Sequence, residues 1–254
     1  MHVLLDGKNA VIYGAAGAIG SAVAKTFARE GACVFLVGRT QSTLDAVAED
    51  IRQADGEAHS TALDALDERA VEAFADDVAA PAGGIDISFN LISHGDVQGT
   101  PMVDMELEDF MRPIHTAVRS TFITARAAAR HMIPKHSGAI LIFGGSGDPV
   151  PGYNIGGFQL GLHALEAMRR QLSSELGRDG IRVITLKTGG IAESIPAGYE
   201  GRDRLEKMLA DATMLKRTAT LEDVSNAAAF AASDKARAMT AATINISCGA
   251  LMDP

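Results

Sequence analysis

The chain has 254 residues, 47% of them hydrophobic, and a formal net charge of −9 at pH 7. This length suits one large α/β domain or two small ones. The negative balance argues against nucleic acid as a partner, because phosphate binding needs a basic face. No apolar run is long enough to span a bilayer, and the residues before Asp6 are too few for a signal peptide. We therefore expect a cytoplasmic protein that does not act at a membrane.

The cysteine content is low. Cys33 and Cys248 both lie in apolar runs that look like strands. Buried thiols in a reducing compartment are therefore expected in preference to a disulfide or a metal site.

The first strand–turn–helix unit is predicted over residues 11–27. The apolar run 11–13 is typical of a buried strand, a glycine-rich turn follows, and Ile19, Val23 and Phe27 then recur at helical spacing. Such a unit lets the backbone approach a pyrophosphate at a helix N-terminus. A second strand follows Gly31, which is the context that distinguishes this motif from an ordinary tight turn.

Strands and helices alternate along the rest of the chain. Further strands are predicted over residues 33–37, 58–63, 86–92, 139–143, 182–186 and 243–246, and helices over 40–54, 67–79, 105–131, 158–177, 202–212 and 221–233. Seven strands with helices between them predict a single α/β domain, doubly wound around a parallel sheet. Ligands should then bind beyond the carboxyl ends of the strands.

With these features the chain resembles the short-chain dehydrogenase/reductase family over nearly its whole length. The resemblance implies one Rossmann-like domain over residues 1–254, NAD(P)(H)-dependent oxidoreductase activity on a small molecule, and a homodimer or homotetramer. The family's turn is G-x-x-x-G-x-G; Gly14 and Gly20 fit its ends, whereas Ala18 takes the middle glycine's place and Gly17 stands one position earlier. The cofactor-binding turn is accordingly expected to comprise Gly14, Gly17, Ala18, Ile19 and Gly20.

The residues after the second strand favour NADP(H) over NAD(H). An acidic side chain there would bind the ribose hydroxyls of NAD, but the chain has Arg39 and Thr40. The planar guanidinium of Arg39 suits a 2′-phosphate. The alternative is a surface arginine at the end of a strand.

Further cofactor contacts follow from the resemblance. It places Asp64, Ala65, Asn90, Ser93, Gly189 and Ile191 beside the nucleotide. Asp64 as a helix N-cap is an equally good interpretation, and Asn90 is expected to tie the fourth strand to its neighbours. His94 also follows this strand, but a solvent-exposed loop histidine is the favoured interpretation.

The family's catalytic Tyr-x-x-x-Lys pair does not occur anywhere in this sequence. Alignment of the long helix places Phe158 at the tyrosine position and Leu162 at the lysine position. Neither side chain can transfer a proton, and their spacing predicts an apolar stripe that packs. The serine position falls at Gly145, next to Ser146.

Ser146 and Tyr153 are the candidate catalytic residues. The run after Tyr153 looks somewhat like the family's enoyl reductase branch, but it is two residues long for it and lacks the lysine. A phenol without a neighbouring cation keeps a high pKa, so it could donate a proton in a reduction but would be a poor base.

Three functions therefore remain open. The chain is an NADP(H)-dependent reductase with an atypical proton donor, or a dinucleotide-binding homologue without redox turnover, or a reuse of the fold for non-redox chemistry. The first is preferred because the cofactor features are coherent. Residues 188–221 would cover a small, partly apolar carbonyl or activated alkene.

Overall fold

The computed structural model describes residues 3–145 and 153–252 of the chain. In these residues seven strands form one parallel sheet in the order β3-β2-β1-β4-β5-β6-β7. The strands are β1 (Asn9–Tyr13), β2 (Cys33–Gly38), β3 (Glu57–Ala62), β4 (Ile87–Asn90), β5 (Gly138–Gly144), β6 (Ile181–Lys187) and β7 (Ala242–Asn245). The predicted doubly wound parallel fold is confirmed.

Seven α-helices connect the strands within the same part of the chain. They are α1 (Ala18–Arg29), α2 (Gln41–Gln53), α3 (Glu68–Ala82), α4 (Leu107–Met132), α5 (Gly157–Leu176), α6 (Arg202–Asp211) and α7 (Leu221–Ala232). None of the described helices is both long and apolar enough to cross a membrane.

The sheet separates two apolar cores. One core packs α1, α2 and α7 against one face, with Phe27, Leu44 and Leu36 at its centre. The other packs α3, α4 and α5 against the opposite face around Tyr13 and Met132. Because both faces are covered, the central strands are buried on both sides and read as continuous apolar runs.

The chain reverses direction across the sheet between β1 and β4. Strand β1 pairs with β2 on one side and with β4 on the other, so successive connections leave in opposite directions from this point. Ligands of such sheets bind in the crevice outside the carboxyl ends at this reversal. The fold thus brings Gly14, at the end of β1, beside the residues that follow Asn90.

Strand β4 is shorter than the predicted span 86–92. It ends at Asn90, and the amide of Ile92 donates to the side-chain oxygen of Asn90 at 3.0 Å. The ladder therefore stops because a side chain takes the place of a backbone partner.

The two cysteines are free thiols, but neither is fully buried. Cys33 begins β2, and Cys248 follows β7 with a positive φ of 54°; both are half-buried. Cys33 lies in a strand as expected, but the expectation that both thiols are buried was wrong, because β2 starts at the rim of the sheet and Cys248 belongs to a turn.

Candidate cofactor and catalytic site

The glycine turn between β1 and α1 is built by close packing. A Cβ at Gly20 would lie 2.2 Å from the Gly14 carbonyl oxygen, and one at Gly14, whose φ is +78°, would lie 2.5 Å from that of Leu91. A Cβ at Gly17 would have only the Gly14 oxygen near it, at 3.4 Å. Gly14 and Gly20 thus permit the strand–helix approach, whereas Gly17 leaves one side of the turn open.

The N-terminus of α1 is open to an anion. Gly17 is its N-cap, no side chain caps the helix, and its first turn has no acidic residue. The amides of Ala18, Ile19 and Gly20 have no partner within the helix by its geometry. Unpaired N–H groups and the helix dipole together favour a phosphate here.

Arg39 and Thr40 follow the carboxyl end of β2 and are both exposed. Arg39 has no hydrogen bond or ion pair to any residue in the described part of the chain. Thr40 is the N-cap of α2 through its backbone, and its side chain makes no cap bond. A guanidinium and a hydroxyl therefore stand free beside the crevice.

The acidic residue that caps α3 is Asp67. Its Oδ1 accepts hydrogen bonds from the amides of Arg69 and Ala70 at 3.0 and 3.1 Å. Asp64 instead accepts from the amide of Leu66 at 3.0 Å, in a turn before the helix. The interpretation of Asp64 as an N-cap was wrong because the helix begins one turn later. Asp64 is exposed, and Ala65 is buried.

Asn90 is buried and fully engaged with the protein. Its Nδ2 donates to the hydroxyls of Ser120 and Thr121 at 3.0 and 3.2 Å. Because its oxygen accepts from Ile92, the side chain ties the end of β4 to α4. Asn90 therefore ties the fourth strand to a neighbouring element, as predicted. A direct contact of Asn90 with the cofactor remains a prediction.

The next residues of this loop differ in exposure. Ser93 is exposed, whereas His94 is half-buried with its ring centre 5.7 Å from that of Phe158. The Nδ1 atom of His94 is buried and has no hydrogen-bond partner among the described residues. Burial lowers the pKa of His94, and the nearby charge of Asp96 opposes this only in part. His94 is therefore a neutral imidazole at pH 7.

The expectation of a solvent-exposed His94 was wrong. The start of α5 packs closely on α4, since a Cβ at Gly157 would lie 1.8 Å from the Phe110 carbonyl oxygen. The loop is also anchored to the residues before α5, as the Gly99 amide donates to the Asn154 carbonyl at 2.7 Å. Together these contacts bring His94 against Phe158.

Tyr153 lies just before α5 and contacts Gln98 in the loop that follows β4. Its hydroxyl donates to Oε1 of Gln98 at 2.5 Å, and 38% of the residue remains exposed. Partial burial, Tyr199 and Asp96 all raise the pKa of its phenol. Tyr153 therefore stays protonated at neutral pH. Ser146 lies outside the described residues.

The apolar stripe of α5 packs as predicted. Leu162 is 6% exposed, and its Cδ1 lies 3.1 Å from where a Cβ of Gly145 would be, against the end of β5. Leu165 and Leu176 are buried further along the same helix. Phe158, in its first turn, is half-buried beside His94. Hydrocarbon thus lines the floor of this corner of the site.

The segment after β6 closes the crevice from the opposite side. Ile191 is buried, and its carbonyl accepts from both the amide and the hydroxyl of Ser194, at 3.0 and 2.7 Å. A Cβ at Gly189 would lie 2.5 Å from the Cβ of Ala250. The backbone at residues 189–191 is therefore held at the carboxyl edge, and α6 follows from Arg202.

A family model described as enoyl-(acyl carrier protein) reductase matches residues 14–250. The chain belongs to the short-chain dehydrogenase/reductase family. Secoisolariciresinol dehydrogenase of Forsythia intermedia is 31% identical over 239 residues, covering 92% of this chain and 85% of the relative.

Solved structures of this family match almost the whole chain. A short-chain dehydrogenase/reductase from Mycobacterium marinum has a TM-score of 0.89 at 28% identity, covering 99% of this chain and 98% of its own. A 7α-hydroxysteroid dehydrogenase in complex with NADH and 7-oxo glycochenodeoxycholic acid has a TM-score of 0.86 at 28% identity, covering 98% and 96%. The full architecture of the family is present.

Members of this family bind nicotinamide dinucleotides, and the described residues fit such a ligand. The open side of Gly17 and the free amides of α1 suit the pyrophosphate, while Arg39 and Thr40 stand beyond β2. Sequence reasoning missed Gln98 and Asp96. Gln98 accepts the hydrogen bond of Tyr153, and the charge of Asp96 raises the pKa of both Tyr153 and His94. No local pattern marks them, because their role depends on how the loop after β4 folds.

Proposed function

We propose that this short-chain dehydrogenase/reductase binds NADP(H) and reduces a small, partly apolar carbonyl compound or activated alkene. The observation that carries the cofactor choice is Arg39. It is exposed, has no partner among the described residues, and stands directly after β2, where no carboxylate competes with a phosphate. A free guanidinium is suited to bidentate contact with a phosphate.

The proposal of NADP(H) rests on residues of this chain and not on its relatives. The 7α-hydroxysteroid dehydrogenase structure contains NADH, so relatives with this fold do not all require a 2′-phosphate. Arg39 and Thr40 support the phosphorylated cofactor here. The dinucleotide supplies a hydride when bound, and the chain must orient the acceptor and provide a proton.

Two described side chains carry protons near the proposed acceptor site. Tyr153 keeps its phenolic proton because its pKa is raised, so it can donate but is a poor base. His94, a neutral imidazole beside Phe158, can donate an N–H hydrogen bond to a substrate oxygen and polarise it. Ser146 remains a candidate for orienting the acceptor. This set favours reduction over oxidation.

Phe158 and Leu162 support a partly apolar substrate. They place a ring and a buried isobutyl group where the family alignment has its tyrosine and lysine. Residues 188–221, with Tyr199 exposed, extend over the same edge. A hydride acceptor with an apolar body and one polar group suits such walls.

A second candidate function is dinucleotide binding without redox turnover, in a sensor or partner subunit. The burial of Leu162 against Gly145 favours it, because no lysine ammonium can occupy that place. NADPH binding without consumption against a panel of aldehydes, ketones and enones would select this function.

We also propose that the chain acts as a homodimer or homotetramer in the cytoplasm. Phe122 on α4 and Leu160 on α5 support an assembly through the two long helices, as they are 48% and 44% exposed. Apolar side chains on neighbouring helices are suited to burial against a second copy.

The Arg39→Ala variant tests the cofactor choice. It should weaken NADPH binding about 10- to 100-fold, the value of a charge-assisted contact, and leave NADH binding nearly unchanged. Fluorescence titration with each cofactor measures both constants.

Arg178→Ala is the matched control, because Arg178 is an exposed arginine just before β6, at the amino ends of the strands and away from Arg39. It should leave both constants unchanged. Equal weakening of NADPH and NADH by Arg39→Ala would contradict the 2′-phosphate role.

A further inference from the structure

A cluster of three metal-ligand side chains lies at the amino ends of β2 and β3. Cys33 opens β2 and Glu57 opens β3, and the two are register partners in the parallel pair. His59 is two residues after Glu57, so it points to the same face of the sheet. The Sγ, carboxylate and imidazole ligand atoms of the three residues all lie within 4.8 Å of one another.

The surroundings of this Cys33–Glu57–His59 cluster are suited to a cation. Glu57 is 3.5 Å from Nε2 of His59, and within the described residues it forms no ion pair with a lysine or arginine. The ring of His59 stacks on Phe35 with centres 5.0 Å apart and planes 17° apart, which restricts its orientation. A carboxylate and a thiol thus face an imidazole of fixed orientation, and no lysine or arginine of the described residues is paired with the carboxylate.

A reactive thiol is the alternative use of Cys33. Burial, the charge of Glu57 and a hydrogen bond to it raise the pKa of the Cys33 thiol to about 12. A nucleophilic cysteine needs a lowered pKa, so the surroundings oppose that role. A metal ion reverses this, because it supplies the positive charge that the thiolate lacks.

We propose that Cys33, Glu57 and His59 bind a Zn²⁺ ion that joins β2 to the edge strand β3, with water at the fourth position. Thiolate, imidazole and carboxylate are the three ligand types that zinc takes in proteins. Tetrahedral zinc needs its ligand atoms about 3.5 Å apart. Rotations of these rim side chains therefore have to close a gap of about 1 Å. On binding, the Cys33 thiol loses its proton to solvent as the Zn–S bond forms.

This zinc site is separate from the dinucleotide site. Cys33 begins β2 and Arg39 stands six residues later, so the sites are about 20 Å apart at the usual rise per residue. Neither depends on the other, and the zinc proposal does not rest on the proposed reductase function.

Cobalt substitution tests the site on the full, reduced chain without an affinity tag. Titration with Co²⁺ should produce a near-ultraviolet thiolate-to-cobalt charge-transfer band at one equivalent, and Zn²⁺ should abolish it because zinc binds such sites more tightly. Cys33→Ser should remove the band, and Cys248→Ser, the matched control at the other cysteine, should keep it. Circular dichroism checks that each variant is folded.

His59→Asn provides a second measurement that leaves the half-buried cysteine intact. It should weaken Co²⁺ binding at least about tenfold and remove the rise in melting temperature that Zn²⁺ gives the unmodified chain. Absence of the band in the unmodified chain, its persistence in Cys33→Ser, or its loss in Cys248→Ser would each overturn the proposal. NADPH titration of the same variants should be unchanged.

Discussion

At the scale of single residues, the unusual feature is that a histidine, His94, packs on Phe158, the residue that aligns with the family's catalytic tyrosine. His94 rests against Phe158 with a buried Nδ1 that has no partner in the described part of the chain, while Tyr153 is held at the rim by Gln98. A buried polar atom without a partner is costly in a folded protein. A substrate group that forms a hydrogen bond with this atom would remove that cost, which supports the role we propose for His94.

We expect His94→Gln to lower kcat for carbonyl reduction about 100-fold or more, the usual effect of removing a hydrogen-bond donor placed at a developing negative charge. NADPH binding should remain unchanged, because the His94 ring packs on Phe158 of α5 and not on the β1–α1 turn or on Arg39. Tyr153→Phe tested in parallel, by NADPH oxidation against an aldehyde and enone panel, shows whether the phenol contributes instead.

His163→Gln is the control for these variants, since His163 is an exposed histidine on the same helix as Phe158. It should retain full activity. Unchanged turnover in both His94→Gln and Tyr153→Phe would remove these two residues from the mechanism.

At the scale of elements, the β1–α1 turn depends on glycine for two different reasons. Gly20 lets the helix pack on the strand end, whereas Gly17 leaves one side of the turn open, where we propose that the cofactor binds. The sequence pattern predicts a turn and a helix but does not distinguish these two roles.

Gly20→Ala should destabilise the chain strongly, because its Cβ would lie 2.2 Å from the Gly14 carbonyl and the backbone would have to shift. Gly17→Ala should change the melting temperature little, as its Cβ meets only one atom at 3.4 Å, but should weaken NADPH binding about tenfold or more by filling the open side of the turn. Thermal unfolding and fluorescence titration measure the two effects. A fully stable Gly20→Ala variant would contradict the packing argument.

At the scale of the whole molecule, a hydrogen bond from β7, the far edge strand of the sheet, reaches a largely buried ion pair on α5. Arg169 is 5% exposed and donates to Oε2 of Glu166 at 2.9 Å, and the same oxygen accepts from Thr243 on β7 at 3.1 Å. Burial opposes ionisation of Glu166, but the hydrogen bonds and charge of Arg169 and the hydroxyl of Thr243 outweigh it and lower the pKa.

Glu166→Gln should therefore reduce the free energy of unfolding at pH 7 by about 3 kcal/mol, as expected when one member of a buried pair is removed. Because the pKa of Glu166 is lower in the folded state, its carboxylate stabilises the fold at pH values above its unfolded-state pKa. This stabilisation is lost as the pH falls through the folded-state pKa. The difference between variant and parent should accordingly shrink at acid pH.

Urea unfolding at pH 7 and in the acid range measures this difference. Glu175→Gln, an exposed glutamate on the same helix, is the control and should change stability little at either pH. A stability difference for Glu166→Gln that does not vary with pH would contradict the linkage.

Element positions were predictable because they depend on local periodicity. The helix predicted over 40–54 is α2 (Gln41–Gln53), with Leu44, Val47 and Ile51 buried on one side as expected. Strand β4 was predicted too long, since the apolar residues 91 and 92 continue the pattern after the ladder has ended at Asn90. Hydrophobic pattern alone does not reveal where a side chain replaces a backbone partner.

The amino-acid sequence by itself determined the alternation of strands and helices, the glycine turn, the lack of an acid after β2 and the absence of a Tyr-x-x-x-Lys pair. Tertiary structure decided which aspartate caps α3, that His94 packs on Phe158, and that Cys33 faces Glu57 and His59. The physical reason is that periodicity describes a residue's place within its own element. Contacts between elements depend on strand register and on the path of loops, which arise only when the whole chain packs.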